Sequence, residues 1–373
     1  MSASSRSQSL LVGLVISAVA LLVLEGGASV LVFALKARME IQHELIERAH
    51  SSYDPELGWV NNRSLRMPDL YGPGRALTIN AQGFRNEREF PREVPAGKAR
   101  VVALGDSFTL GVGVGDADSW PANLERDCPG VESPNMGQGG YGIDQSYLWY
   151  MRDGDAIDHQ VLVFAVIADD FERIRSTDFS GYGKPILRLV SGEIVKGNVP
   201  VPRVSYEIPH LVRNLHLLSG LRTVELLQLL AGREVRPVWK RNEIEGEEEA
   251  GQVAEQIFSR LARARREHGG ALVLVVLPNL SSADPTQLAP LPGFARAALE
   301  HSAARGIALV DLTPDFLRIS EPERHALFIA RSESAEAAGH FSAAGNALVA
   351  HAVAKRLGEL GLVPPDACGE SGQ

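Results

Sequence analysis

The sequence predicts an α/β fold: a parallel sheet covered by helices on both faces, with one membrane-spanning helix ahead of it. Three observations predict this. Short apolar, β-branched runs recur beyond Lys98, helical patterns lie between most of them, and a long apolar segment stands near the amino terminus. The 373 residues are 45% hydrophobic and 22% charged, values of an ordinary globular protein, which excludes disorder, collagen and coiled coil. Lys and Arg total 37 against 46 Asp and Glu, a net charge of −9, so no positive excess exists to neutralise a nucleic-acid backbone. Two Cys, one mid-chain and one in the tail, lack the clustered spacing of a zinc or redox site, and no metal or cofactor is expected.

In chain order, residues 1–9 form a short polar start. Residues 10–35 carry a single charge, Glu25, and Lys36 and Arg38 follow at once. As a helix this segment reaches about 39 Å against a hydrocarbon core of roughly 30 Å. The competing reading is a cleaved signal peptide, but ten more apolar residues follow Glu25 where such a peptide turns polar, so an uncleaved anchor is preferred. Glu25 is costly at membrane depth, which points to a tolerated polar residue or to a membrane partner there. The start before the apolar run favours an inner-membrane topology with the large domain outside, periplasmic or extracellular.

Residues 36–98 read as a connector: Met39–His50 continues the helix, and short strand-like pieces such as Ala76–Ile79 follow in turn-rich sequence. A large α/β domain is expected over 99–362, with a tail at 363–373. Its strands are expected at Arg100–Leu104, around Val131, at Val161–Val166, at Ala271–Leu277 and at Ala308–Leu312, the second weakened by Pro134. An insertion of about 176–268 holds a hairpin (Ile186–Val190 and Ile194–Val199), an apolar helix from Pro209 to Ala231, and a helix ending near His268. That last helix has Glu247, Glu248 and Glu249 at its start and Arg263, Arg265 and Arg266 near its end, in keeping with the helix dipole.

Ligands of such sheets bind beyond the carboxyl ends of the strands, so the chemistry is sought just after each run. The first strand runs into Gly105-Asp106-Ser107-Phe108-Thr109-Leu110-Gly111, which sets a serine at a strand-to-helix turn; an ordinary turn explains the residues about as well. After the second comes Asn135-Met136-Gly137-Gln138-Gly139-Gly140-Tyr141-Gly142, whose glycines let main-chain N–H groups approach a ligand, without the GK[ST] ending of a phosphate loop. The third ends in Asp169 and Asp170. Near the carboxyl terminus, His340 stands in a loop just before a helix that Ser342 is suited to cap.

GDSFTLG, NMGQGGYG, ADDF and GHFSAAGN, in this order, resemble the four blocks of the SGNH/GDSL hydrolase superfamily over roughly Arg100 to Leu357, the insertion apart. YDPELGW, INAQGFRN and KPILRLVSGEIV are similar to segments of membrane-anchored bacterial proteins that carry this domain, found around cell-surface polysaccharide modification. The resemblance implies a flavodoxin-like three-layer sandwich. It further implies Ser107 as nucleophile, the N–H groups of Ser107 and Gly140 as an oxyanion hole, Asp169 where that hole has an Asn side chain, and His340 as base. Two departures stand out: an ionised Asp169 repels an oxyanion, and the Asp expected three residues before the His falls on Ala337. Glu336 or Glu333 is expected to orient the imidazole, or else a backbone carbonyl or water does so in a Ser–His dyad.

Two functions follow as expectations. One is a serine-dependent esterase or O-acyltransferase acting on acetyl or similar small esters of an envelope saccharide. The other is a catalytically weak binding or scaffolding subunit of a polysaccharide machine. Export would permit a Cys128–Cys368 bridge; otherwise both are free thiols.

Overall fold

The computed structural model describes residues 3–42, 49–179, 182–202, 221–230, 244, 246–282, 284–364 and 367–368. The chain falls into two units, one of residues 1–44 and 204–240 and a larger one of residues 45–203 and 241–373.

In the smaller unit, α1 (Ala3–Gln42) is one helix whose Leu11–Val32 stretch is long and apolar enough to cross a membrane. Most of its side chains there are exposed, while Ala28, Ser29 and Val32 are buried. Glu25 does not stand alone. Its carboxylate accepts from the Arg222 N–H, from the Thr223 N–H at 3.1 Å and from Thr223 Oγ1 at 2.9 Å, at the start of Arg222–Leu230. Glu25, expected either as a tolerated polar residue or as the contact of a membrane partner, thus has hydrogen-bond donors within this chain. Most of the helix expected over Pro209–Ala231, and residues 43–48 of the expected helix continuation, lie outside the described residues.

In the larger unit, two antiparallel hairpins come first: β1 (Ser51–Asp54) with β2 (Gly58–Asn61), and β3 (Leu65–Met67) with β4 (Leu77–Ile79). The stretch read as a connector is built into this unit. Trp59 Nε1 donates to Gly139 O at 2.8 Å, and buried Arg85 donates to Leu110 O at 2.7 Å and Val114 O at 2.7 Å, behind the turn that carries Ser107.

The central sheet comprises β5 (Ala99–Gly105), β6 (Val131–Glu132), β7 (Asn135–Gly137), β8 (Val161–Val166), β13 (Ala271–Val276) and β14 (Ala308–Asp311), all paired in parallel. Its order is β14-β13-β8-β5-β6, with β7 also on β5. Pro134 explains the split second strand: it has no N–H for the ladder, but its carbonyl still accepts from Ala103 N at 2.9 Å. Alternate residues serve opposite faces, as strand geometry requires. Val102, Leu104, Leu162, Phe164 and Leu274 share one buried cluster with Tyr147, Ile257 and Ala298, from the helices α2 (Ile143–Asp153), α4 (Glu247–Glu267) and α5 (Gly293–Ala304). Val101, Ala103, Val163 and Val275 share another with Trp120 of Trp120–Asp127 and Val349 and Val353 of α6 (Ala343–Glu359). A further helix, α3 (Ala168–Arg173), leaves the carboxyl end of β8.

Within the expected insertion, β9 (Asp178–Phe179) pairs with β10 (Tyr182–Gly183), and β11 (Ile186–Val190) with β12 (Glu193–Gly197). Lys184 anchors this segment: its ammonium lies 2.5 Å from Asp144 Oδ2 with both side chains fully buried. Cys128 and Cys368 form a disulfide, and Gly130 N donates to Ala367 O at 2.9 Å, so the tail is tied to the domain.

Candidate active site

β5 ends at Gly105, and a short helix begins at Ser107. Asp106 caps that helix, its Oδ1 accepting from Phe108 N at 2.9 Å, which fixes the turn and holds Ser107 at the sheet's carboxyl edge. Only glycine fits at 105, since a Cβ there would lie 2.7 Å from Ala165 O.

His340 reaches the same point from the other end of the chain. Ile329 N donates to His340 O at 2.8 Å and Gly339 N to Ile329 O at 2.9 Å, while Ser342 caps α6 by accepting from Gly345 N at 3.2 Å. The imidazole ring lies 4.9 Å from the Phe108 ring, centre to centre. Its Nε2 is 2.9 Å from Ser107 Oγ, and its Nδ1 is 3.1 Å from Ala337 O. A carbonyl oxygen only accepts, so Nδ1 carries the proton and the Nε2 lone pair faces the serine hydroxyl. Burial lowers the imidazole's proton affinity below its ordinary value; the charge of Asp106 and the bond to Ala337 oppose this.

Neither acid expected to orient the ring does so. Glu333 instead pairs with Arg75 at 2.8 Å, and Glu336 is exposed, whereas the Nδ1 position is taken by the Ala337 carbonyl. Chain geometry is the reason: the turn from Ala337 to His340 folds its own backbone oxygen onto the ring, as His340 N also donates to Ala337 O at 3.1 Å.

In the glycine-rich stretch, Gly140 takes φ +74°, and the Phe179 ring sits where its Cβ would be, with Phe179 Cε1 only 2.4 Å from that position. Among the described residues, the N–H groups of Ser107 and Gly140 have no acceptor. Asp169 is exposed and lines the same cavity as Ser107 and His340. Its neighbour Asp170 is buried, and its carboxyl is pushed well above the usual range by burial and by the charge of Asp106. Arg173, which the sequence reading passed over, donates through Nη1 to Asp106 Oδ2 at 3.0 Å, Tyr141 O at 2.9 Å and Asp170 Oδ1 at 2.6 Å. The available signal was its spacing of four residues from Asp169, which puts both on one helix face.

The cavity over these groups measures about 520 Å³ and is walled by Phe108, Ile167, Leu280, Phe328 and Ile329 around the polar centre. That volume accommodates a small ester with part of its alcohol moiety. Among the described residues, no three His, Cys, Asp or Glu side chains gather as metal ligands would.

No family model matches the chain, and no curated protein matches it. Among solved structures it is similar to the lipase/acylhydrolase of Enterococcus faecalis, at 13% identity and a TM-score of 0.41 over 72% of this chain and 98% of that one. It is also similar to an alpha/beta hydrolase enzyme from the metagenome of Lake Arreo, at 14% identity and a TM-score of 0.38 over 72% of this chain and 97% of that one. A third likeness is to a member of the lipolytic protein G-D-S-L family from Veillonella parvula, at 11% identity and a TM-score of 0.35 over 69% of this chain and 97% of that one.

Proposed function

We propose that the larger unit is a serine esterase. The observation that carries this is the Ser107 Oγ–His340 Nε2 contact of 2.9 Å, with Nδ1 held on Ala337 O at 3.1 Å. Ser107 Oγ bonds to the acyl carbon while its proton passes to His340 Nε2 and the carbonyl π pair moves onto oxygen. That oxyanion is met by the N–H groups of Ser107 and Gly140. Collapse restores the carbonyl and breaks the bond to the alcohol, which leaves with the His340 proton. Water, deprotonated by His340, then releases the acid and regenerates Ser107; a sugar hydroxyl in its place would make the reaction an acyl transfer.

The backbone carbonyl supplies the orienting role of a triad acid without its charge. The imidazole keeps the right tautomer, but the imidazolium formed during attack is stabilised less than by a carboxylate. A modest rate follows, not an inert site.

The resemblance of the flanking segments favours acetyl or similar small esters on an envelope saccharide. Anchoring through α1 in the inner membrane with the domain outside fits both the apolar stretch Leu11–Val32 and the disulfide, which persists in oxidising compartments. Turnover of p-nitrophenyl acetate by the full-length protein tests the reading, with Ser107→Ala expected to abolish it. Equal rates for the two proteins would leave only the binding-subunit function. Product analysis on an O-acetylated saccharide, with and without acceptor sugars, separates hydrolysis from transfer.

A further inference from the structure

Asp169, which lines the cavity with Ser107 and His340, lacks the amide N–H that an Asn at that position would offer a developing oxyanion. Arg173 follows it by one turn of α3 and lines the same cavity as Ser107, Asp169 and His340. Its Nη1 gathers one acceptor from each segment of the site: Asp106 Oδ2 beside the nucleophile, Tyr141 O in the glycine-rich stretch and Asp170 Oδ1 on α3 itself. Asp106 Oδ2 is also 3.4 Å from Ser107 Oγ, so the guanidinium lies one carboxylate oxygen away from the nucleophile. Its other edge, Nε and Nη2, donates to no described residue, and 17% of the side chain, which lines the cavity, is exposed.

The surroundings keep this group in place and partly dry. Its carbon lies 5.2 Å from the centre of the Phe179 ring, and the same ring fills the space beside Gly140. A Cβ at Gly142 would come within 2.9 Å of Arg173 Cβ, so the arginine stem packs directly on the glycine-rich backbone. Ser107, Gly140 and the arginine therefore share one corner.

Resting on the esterase reading, we infer that Arg173 is a catalytic residue of that reaction. Its free guanidinium edge donates to the ester carbonyl oxygen as the π pair moves onto it, and it offsets the charge of Asp169. The step changes no bond of the arginine: the oxyanion forms under the guanidinium and is discharged when the alcohol leaves. A preformed cationic donor at the site of developing charge acts on the transition state more than on the bound ester, so the effect falls on kcat.

The test uses full-length protein and p-nitrophenyl acetate, with kcat and KM measured separately for wild type, Arg173→Gln, Arg173→Lys and Ser107→Ala. Arg173→Gln is expected to lose about a hundredfold in kcat with KM within about threefold, and Arg173→Lys, which keeps a cation, to recover about tenfold of that loss. Inhibition by an alkylboronate, which becomes a tetrahedral anion on Ser107, should weaken in parallel. A folded Arg173→Gln variant with unchanged kcat overturns the inference. Should that variant not fold, Arg173→Lys decides: a loss confined to KM, with boronate inhibition intact, also overturns it. Wild-type activity no greater than that of Ser107→Ala overturns the esterase reading itself, and is distinguished by the absence of any serine-dependent rate to lose.

Discussion

Restoring the missing acid of the triad by Ala337→Asp is the substitution that comparison of motifs invites, and the structure predicts that it fails. The Ala337 side chain is buried with Leu110, Val112, Val114 and Ile329, and a Cβ placed on Gly113 would come within 2.7 Å of the Ala337 methyl. The residue meets His340 through its carbonyl oxygen, while its Cβ faces this apolar cluster. An aspartate there is desolvated without a partner. Raising its pKa by about 3 units on folding costs roughly 4 kcal/mol at neutral pH, because each unit is worth about 1.4 kcal/mol. The sign follows from linkage: the native state holds a proton that the unfolded chain releases, so the penalty is absent in acid, appears above the unfolded value of about 3.9 and grows with pH. Denaturant unfolding at several pH values and p-nitrophenyl acetate turnover measure both effects. A variant of wild-type stability with raised kcat would refute the reasoning, since the carboxylate would then have reached Nδ1.

Other outcomes are equally specific. Because burial lowers the His340 pKa below 6.5, the neutral base survives into mild acid, so the rising limb of kcat/KM should lie below pH 6.5 and the rate should be flat above it; a limb at or above 6.5 contradicts this. Gly140→Ala forces a side chain at φ +74° into the Phe179 ring, and activity should fall by tenfold or more with the fold retained; an unchanged rate would remove Gly140 from the oxyanion corner. Cys128→Ser opens a loop of sequence separation 240 and should cost about 2–5 kcal/mol in unfolding experiments, whereas an unchanged midpoint would show that the tail is held by other contacts. His159, lowered to about 3 chiefly by burial, resists a proton that the unfolded chain accepts below 6.5, so stability should decline as pH falls from 6.5 towards 4; His159→Gln should flatten that slope, and parallel slopes would reject the account.

The residues that meet at the site were legible where the signal was local. Ser107 and His340 stand at a strand end and before a helix, positions that turn chemistry and capping reveal without any tertiary knowledge. The glycine-rich stretch was legible for the same reason. What holds His340 was not: the choice between Glu333, Glu336 and a carbonyl depends on the path of one loop, and Arg75 draws Glu333 elsewhere. Residues 36–98 read as a connector because their strands are short, yet Arg85 and Trp59 fix the Ser107 turn and the glycine-rich backbone across separations invisible to periodicity.

By itself the sequence determined the sheet, since alternating burial on both faces demands continuous apolar strands, and it determined where Ser107 and His340 would stand along that sheet. It also determined the apolar stretch of α1. Only the tertiary structure decided the electrostatics of the site. Asp106, Asp170 and Arg173 come from two segments and are brought within hydrogen-bond distance by the pairing of β5 with β8. Charge interactions depend on distance and burial, which a one-dimensional spacing does not carry.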